Sequence, residues 1–309
     1  MTRRSLVLAG ALLVTAVLTP AAAQARTPFP ATIPLPAGSQ PEGITSGPGT
    51  TYYAGARLDG AITTGDLRTG TSHTLVPGRD GRVAVGMRYN DATGRLWVAG
   101  GFTGAVTVYD ASSGTELARY AVSGLHFLND VEVTPTAVYV TDSLDDALVV
   151  VPLGPGSALP AAATTLRLRG DFVETPGFNA NGIRALPGGA LVVNQSSTGA
   201  LFRVDPATGV ADRIEVTGPT LTSGDGLELR GSTLYDVYGL NRNGIAVVHL
   251  GADARTAVVT GELTNVDLDR PTTTTLVADE LWTVNGRFDT VPAPTATTPY
   301  AVVRVDPQG

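Results

Sequence analysis

Six copies of one strand-rich unit constrain the fold of this chain more than any other feature. Each copy begins with a short apolar strand that follows a polar or conformationally special residue; the six beginnings read PEGIT, AVGMRY, LNDVEV, NANGIRAL, SGDGLEL and RPTTTTL. Counted from Glu42, matched positions fall about 43, 44, 52, 44 and 46 residues apart. This period is typical of a four-stranded propeller blade. The sequence therefore predicts an all-β, six-bladed β-propeller.

The order of the strands predicts how the ring closes. A second and a third strand follow each beginning, and a fourth strand follows in five copies but not in the sixth. The segment ATIPLPAG, at 31–38, resembles the missing strand. We expect this N-terminal strand to complete the sixth blade, because closure removes an exposed sheet edge. Residues 26–309 then form one domain.

The composition narrows the functional classes. The 309 residues include 37 Gly and 21 Pro, as expected for many tight turns. The net charge is −7 and no basic patch is visible, which argues against nucleic acid or an anionic membrane as a partner. The chain has no cysteine, so neither a thiolate nucleophile nor a thiolate metal site is possible. We expect a monomer that acts on a small molecule.

The N-terminus has the pattern of a secretory signal. Arg3 and Arg4 precede an apolar run, which ends in the small residues AAAQA. We expect cleavage after Ala25, so that 1–25 is a signal peptide and the mature protein is secreted or otherwise extracytoplasmic. The apolar run is short for a membrane anchor. The paired arginines leave both the general and the twin-arginine export routes open.

Polar residues recur where the first strand of a blade begins. In a propeller the first strands line the central channel, so these side chains are expected to meet at one mouth. The set contains two carboxylates and two amides: Glu42, Asn129, Asn181 and Asp225. Such oxygen ligands suit Ca²⁺ or a similar divalent cation. The alternative is that each residue caps its own turn.

The same segments resemble the SMP-30/gluconolactonase/LRE-like family, which is related to the paraoxonases. PEGI, LNDVEV, NGI and GDGLEL are similar to that family's metal-binding strand beginnings. The resemblance implies a six-bladed propeller in which Glu42, Asn129, Asn181 and Asp225 bind a catalytic divalent ion, usually calcium. It also implies hydrolysis of a lactone, an ester or a phosphotriester.

The resemblance suggests further roles around the mouth. Asp225 is the candidate to activate water or to attack the substrate, and His126 is a candidate base. Polar residues at the ends of second strands are candidates for substrate binding: Asp142, Asn194, Tyr238 and Asn285. Asp130 is expected to form hydrogen bonds between blades instead of binding metal.

One departure from the family pattern affects the substrate. Sugar-lactonase members carry an arginine near the third-blade asparagine, whereas this chain has HFLND there. The substitution favours a more apolar substrate. A different class of function stays open, namely a non-enzymatic binding or scaffold propeller with a structural metal. A test of whether the protein hydrolyses a panel of lactones and esters, with and without chelator, distinguishes the hydrolase from the non-enzymatic propeller.

Overall fold

The structure is a computed structural model that describes Met1 and residues 28–124, 126–239, 242–288 and 293–307. The predicted signal peptide lies, apart from Met1, outside the described residues. Within these ranges the chain forms β-strands and one short 3-10 helix, Pro155–Ser157. No helix found there has both the length and the apolar character needed to cross a membrane.

Six sheets follow one another around the ring, as the repeats predict. The first strand of the chain, β1, is Thr32–Leu35. Blade 1 contains β2–β5, at Pro41–Ser46, Thr51–Ala56, Ile62–Asp66 and Thr71–Val76. Blade 2 contains β6–β9, at Met87–Asn90, Arg95–Ala99, Ala105–Asp110 and Glu116–Ala121. Blade 3 contains β10–β13, at Leu128–Val133, Ala137–Asp142, Ala147–Pro152 and Thr164–Arg167.

The last three blades include strands from neighbouring segments. Blade 4 contains β14–β18, at Arg169–Gly170, Ala180–Ala185, Leu191–Gln195, Ala200–Val204 and Val210–Arg213. Blade 5 contains β19–β23, at Glu215–Thr217, Leu227–Arg230, Thr233–Tyr238, Gly244–Leu250 and Thr256–Leu263. Blade 6 contains β24–β26, at Pro271–Val277, Glu280–Asn285 and Tyr300–Val305, together with β1.

The outer strands tie adjacent blades together. β1 pairs antiparallel with β26, so the first strand of the chain is the outer strand of the last blade. Two outer segments, which the sequence presents as single strands, divide between blades. In the first segment β13 pairs within blade 3, whereas β14 pairs in parallel with β18 of blade 4. In the second segment β18 pairs within blade 4, whereas β19 pairs in parallel with β23 of blade 5. Leu168 and Ile214, the residues at which these two segments cross from one blade to the next, are buried. Each crossing covers an otherwise unpaired sheet edge.

The hydrophobic core is divided among the interfaces between blades. Strands alternate in side-chain direction, so each sheet presents apolar residues to both neighbouring sheets. Ile44, Trp282 and Val302 pack between blades 6 and 1, and Trp97 and Leu128 pack between blades 2 and 3. The two tryptophans are fully buried in these clusters, as expected for packing residues. This packing holds the ring without disulfides.

Candidate metal centre

Local backbone irregularities position the predicted metal ligands. In blades 1, 3 and 4 the ladder between the first and second strands shifts register at the polar residue. Glu42, Asn129 and Asn181 are each the first unpaired residue of such an irregularity. A bulge bends its strand and changes the direction of a side chain. These three side chains can therefore leave the sheet and face the central axis.

Backbone hydrogen bonds join these positions around the ring. Gly182 N–H donates to the carbonyl of Asp225 at 3.1 Å, and Gly226 N–H donates to that of Thr272 at 2.9 Å. A Cβ at position 182 would lie 2.5 Å from the Asp225 carbonyl oxygen. Gly182, which follows Asn181, is therefore required by the close approach of blade 5.

The four predicted ligands line one cavity of about 360 Å³. Glu42, Asn129 and Asn181 are all less than 8% exposed, and Asp225 lies beside them. Two buried oxygens among these side chains, Glu42 Oε2 and Asn181 Oδ1, have no hydrogen-bond partner. Unpartnered buried acceptors are costly unless a cation or water satisfies them.

Serine side chains fix the orientation of both amides. Asn129 Nδ2 donates to Ser143 Oγ at 2.9 Å, and Ser143 Oγ donates to the Ala180 carbonyl at 2.7 Å. A hydroxyl has a single hydrogen, so a serine that donates to a carbonyl must accept from the asparagine. The amide nitrogen therefore faces the serine, and the amide oxygen is left for the cavity.

Blade 4 repeats this arrangement. Asn181 Nδ2 donates to Ser196 Oγ at 3.0 Å, and Ser196 Oγ donates to the Gly224 carbonyl at 2.5 Å. The accepting carbonyl precedes the next predicted ligand, Asp225, just as Ala180 precedes Asn181. The repeats did not single out either serine as part of the site. The signal was present, because each lies 14 or 15 residues after its asparagine, one residue beyond the second strand.

The two carboxyl groups are held in a low-dielectric environment. Burial, and then the nearby charges of Asp225 and Asp130, raise the pKa of Glu42 well above its ordinary value. Burial also raises the pKa of Asp225 to about 7, although a hydrogen bond from Asn181 opposes the shift. Two buried carboxylates resist sharing a site without a counter-charge. Two carboxylates and two amide oxygens form a hard-oxygen set that fits Ca²⁺.

A largely buried ion-pair network crosses the channel deeper along the first strands. Arg88 Nη1 lies 3.2 Å from Glu228 Oε2 and thereby joins blades 2 and 5, on opposite sides of the ring. Arg184 contacts the same Glu228 oxygen at 3.4 Å and Asp130 Oδ2 at 3.0 Å. Asp130 thus joins blades 3 and 4, as predicted. The side chains bridge the central axis, so the cavity opens on one face.

The four residues predicted to bind substrate are not among the cavity-lining residues. Asp142 accepts the N–H groups of Phe127 and Leu144, both at 3.0 Å. Asn285 accepts from Asp269 N and donates to the Asp267 carbonyl, so it holds a turn. Asn194 donates hydrogen bonds to the Asp225 carbonyl and to Asp236. The ring of Tyr238 packs against the Arg242 guanidinium, which lies 4.2 Å from the ring centre.

His126 is also outside the cavity lining, and both of its ring nitrogens face acceptors. Nδ1 contacts Asp142 Oδ2, and Nε2 lies 2.8 Å from the Ser123 carbonyl. Burial opposes a charge on this ring, but the hydrogen bonds to Ser123 and Asp142 outweigh it and raise the pKa of His126. The geometry favours an imidazolium that holds a loop, not a base at the cavity.

A second group of potential metal ligands lies around this histidine. One side-chain atom from each of His126, Asp142 and Asp145 lies within 4.8 Å of the other two. An imidazolium has no free lone pair with which to bind a cation. The Glu42 cavity is therefore the better candidate metal centre among the described residues.

Apolar residues surround the mouth of the cavity. Phe102, Phe127, Phe178 and Phe288 line it together with Arg57. Phe102 is 65% exposed and Phe178 is 42% exposed. This face is the one on which the first strands begin. Phe178 and Phe288 come from the segments 171–181 and 286–299; residues 289–292 of the second segment lie outside the described residues.

Comparison with solved structures identifies the fold. Mala s 1, the major allergen of Malassezia sympodialis, has a TM-score of 0.70 at 14% identity, over 90% of this chain and 97% of that chain. Catalytically inactive virginiamycin B lyase from Staphylococcus aureus, with quinupristin, has a TM-score of 0.58 at 11% identity, over 86% and 80%. A protein from Lactobacillus plantarum has a TM-score of 0.57 at 19% identity, over 81% and 78%. Neither a protein-family profile nor a curated protein matches the sequence. The likeness establishes the propeller fold alone.

Proposed function

We propose that this protein is a metal-dependent hydrolase of the SMP-30/gluconolactonase-like type, with Ca²⁺ as the favoured metal. The observation that carries the proposal is the convergence of Glu42, Asn129, Asn181 and Asp225 on one buried cavity. Two of the oxygens in this set are buried without a partner, which favours a bound cation. The substrate class is a lactone, an ester or a phosphotriester.

The four side chains would hold the ion through oxygen atoms. When bound, Ca²⁺ supplies Lewis-acid polarisation of a carbonyl or phosphoryl oxygen. Asp225 is the residue that takes a proton from water or attacks the electrophile. His126 is not needed for this step, because its ring nitrogens already face Asp142 and Ser123.

The surroundings of the cavity favour chemistry over simple metal storage. The Arg88–Glu228 pair closes the inner end, so a substrate would arrive through the aromatic mouth. An apolar mouth reduces the water around the reacting groups and strengthens electrostatic interactions there. One structural neighbour, virginiamycin B lyase, is named as an enzyme, which supports catalysis on this kind of scaffold only by analogy.

The predicted signal peptide supports a place outside the cytoplasm. There the protein would meet calcium at concentrations that fill weak sites. We propose a secreted monomer with a small-molecule substrate. Comparison of the secreted fraction of the full chain with that of a chain lacking 2–25 tests export.

A panel of lactones, aryl esters and phosphotriesters tests the activity. We expect turnover with Ca²⁺, loss with chelator, and a loss of at least about a hundredfold in Asp225→Asn. Asp253→Asn, which neutralises an exposed carboxylate in another part of the ring, is the matched control. If nothing is hydrolysed and chelator lowers only the melting temperature, the alternative of a binding propeller with a structural metal is correct.

A further inference from the structure

The mouth of the cavity combines an aromatic wall with a single stacked arginine. Phe102, Phe127 and Phe178 form a continuous wall, with ring centres 4.7 Å apart for the first pair and 4.9 Å for the second. They come from loops of blades 2, 3 and 4. Arg57 and Phe288 come from blades 1 and 6, and so face this wall across the cavity.

Arg57 is held in place by an aromatic ring and an amide, and none of the carboxylates that the structure describes pairs with it. Its guanidinium lies 4.3 Å from the centre of the Phe288 ring, and Nη2 donates to Gln40 Oε1 at 3.1 Å. That is its only side-chain hydrogen bond to the described residues. Arg57 is exposed, and its charge favours ionisation of Glu42, so it lies within electrostatic range of the metal centre. A guanidinium keeps its five donors in a fixed fork that matches a carboxylate.

The charge balance of the loaded site favours an anionic ligand. A divalent cation would be neutralised by Glu42 and Asp225, and Asp130 is already paired with Arg184. Among the described residues no carboxylate lies within ion-pair distance of the Arg57 guanidinium, so its charge is available to a ligand at the mouth. A ligand with one negative charge would neutralise it, and the phenylalanine wall would bury an apolar body beside it.

Building on the proposed function, we propose that the site selects an amphiphilic monoanion, namely a lactone or ester that carries both a carboxylate and an aromatic or similar apolar body. Arg57 binds the carboxylate. The apolar body packs against Phe102, Phe127 and Phe178. Arg57 is then the residue that determines substrate charge. Among the described residues that line the cavity, Arg57 is the one cationic side chain.

Binding without turnover tests this assignment. Isothermal titration calorimetry with saturating Ca²⁺ would compare 3-phenylpropionate with the neutral 3-phenylpropanamide. We expect the wild type to prefer the anion by roughly tenfold or more, the range of a hydrogen-bonded charge. Arg57→Met should reduce the preference to about threefold or less, and Arg57→Lys should keep part of it. Phe178→Ser should weaken both ligands to a similar extent.

Arg68→Met is the matched control, because Arg68 also stacks on a phenylalanine, Phe29, but does not line the cavity. It should keep the wild-type preference. A wild type that does not discriminate, or an Arg57→Met variant that still prefers the anion, overturns the proposal; the second result would assign the carboxylate to the metal ion. Since no turnover is measured, failure of the hydrolase proposal on the substrate panel would be a separate result.

Discussion

At the residue scale, the orientation of two amides decides whether the cavity can bind a cation. Asn129 and Asn181 each present an oxygen only because Ser143 and Ser196 accept hydrogen bonds from their nitrogens. Each serine in turn donates to a backbone carbonyl next to the following ligand position. The predicted ligands are therefore held by contacts between blades.

Removal of these hydroxyls should loosen the metal site without unfolding the ring. We expect Ser143→Ala and Ser196→Ala each to weaken Ca²⁺ binding by about 10- to 100-fold, the range found when outer-shell partners of metal ligands are removed. Calcium titration of the melting temperature measures the effect. Ser72→Ala, on an exposed outer strand, is the control. Calcium affinity that is equal in all three variants would contradict the assigned orientation.

Replacement of Glu42 by glutamine should stabilise the metal-free protein but remove the stabilisation that a bound metal ion gives. Its raised pKa means that, without a cation, ionisation above the unfolded-state pKa of about 4.3 destabilises the folded protein increasingly as pH rises. We therefore expect Glu42→Gln to raise the melting temperature in chelator at about pH 8. The same variant should lose the stabilisation that Ca²⁺ gives the wild type.

Differential scanning fluorimetry, with Glu116→Gln as the exposed control, measures both effects. A Glu42→Gln variant that melts lower in chelator and still responds to calcium would show that this carboxyl is not a ligand.

At the element scale, the strand beginnings carry the site while the strand interiors carry the fold. Glu42 and Asn181 lie at irregular pairings, whereas the residues that follow them form regular ladders. The repeats predicted these positions, because a polar residue recurs before an apolar run. They did not predict that Asn285 and Asp142 hold turns and loops, since both roles use the same side-chain chemistry.

The loop before β10 should respond to pH through His126. Because hydrogen bonds raise its folded-state pKa, its stabilising contribution is fully present below the unfolded value of about 6.5 and is lost as pH rises through the folded value. We expect His126→Gln to lower the melting temperature more at about pH 5.5 than at about pH 8.5, with saturating calcium.

His73→Gln, which changes an exposed histidine on β5, should show no such difference. Equal effects of His126→Gln at both pH values would mean that the imidazolium contacts do not stabilise this loop.

At the scale of the whole molecule, stability depends on the last blade taking its outer strand from the start of the chain. Ile33 of β1 is fully buried and packs in the cluster between blades 6 and 1. We expect Ile33→Ala to cost about 2–5 kcal/mol in the free energy of unfolding, the range for large core truncations. Urea denaturation measures this cost.

Thr32→Ala, which alters an exposed neighbour on the same strand, should change stability by less than about 0.5 kcal/mol. If both variants unfold at the same urea concentration, β1 does not contribute to closing the ring.

The sequence alone determined the six-bladed architecture and the positions of the four predicted ligands, because both recur with the period of the blade. Glu42, Asn129, Asn181 and Asp225 could be found without coordinates. Only the tertiary structure decided which other polar residues reach the cavity. Arg57 does and Asn194 does not, since the direction of a loop or strand-end side chain is set by hydrogen bonds and packing with residues distant along the chain. Local sequence specifies a strand and its turn, but the neighbouring blade specifies what that turn presents to a ligand.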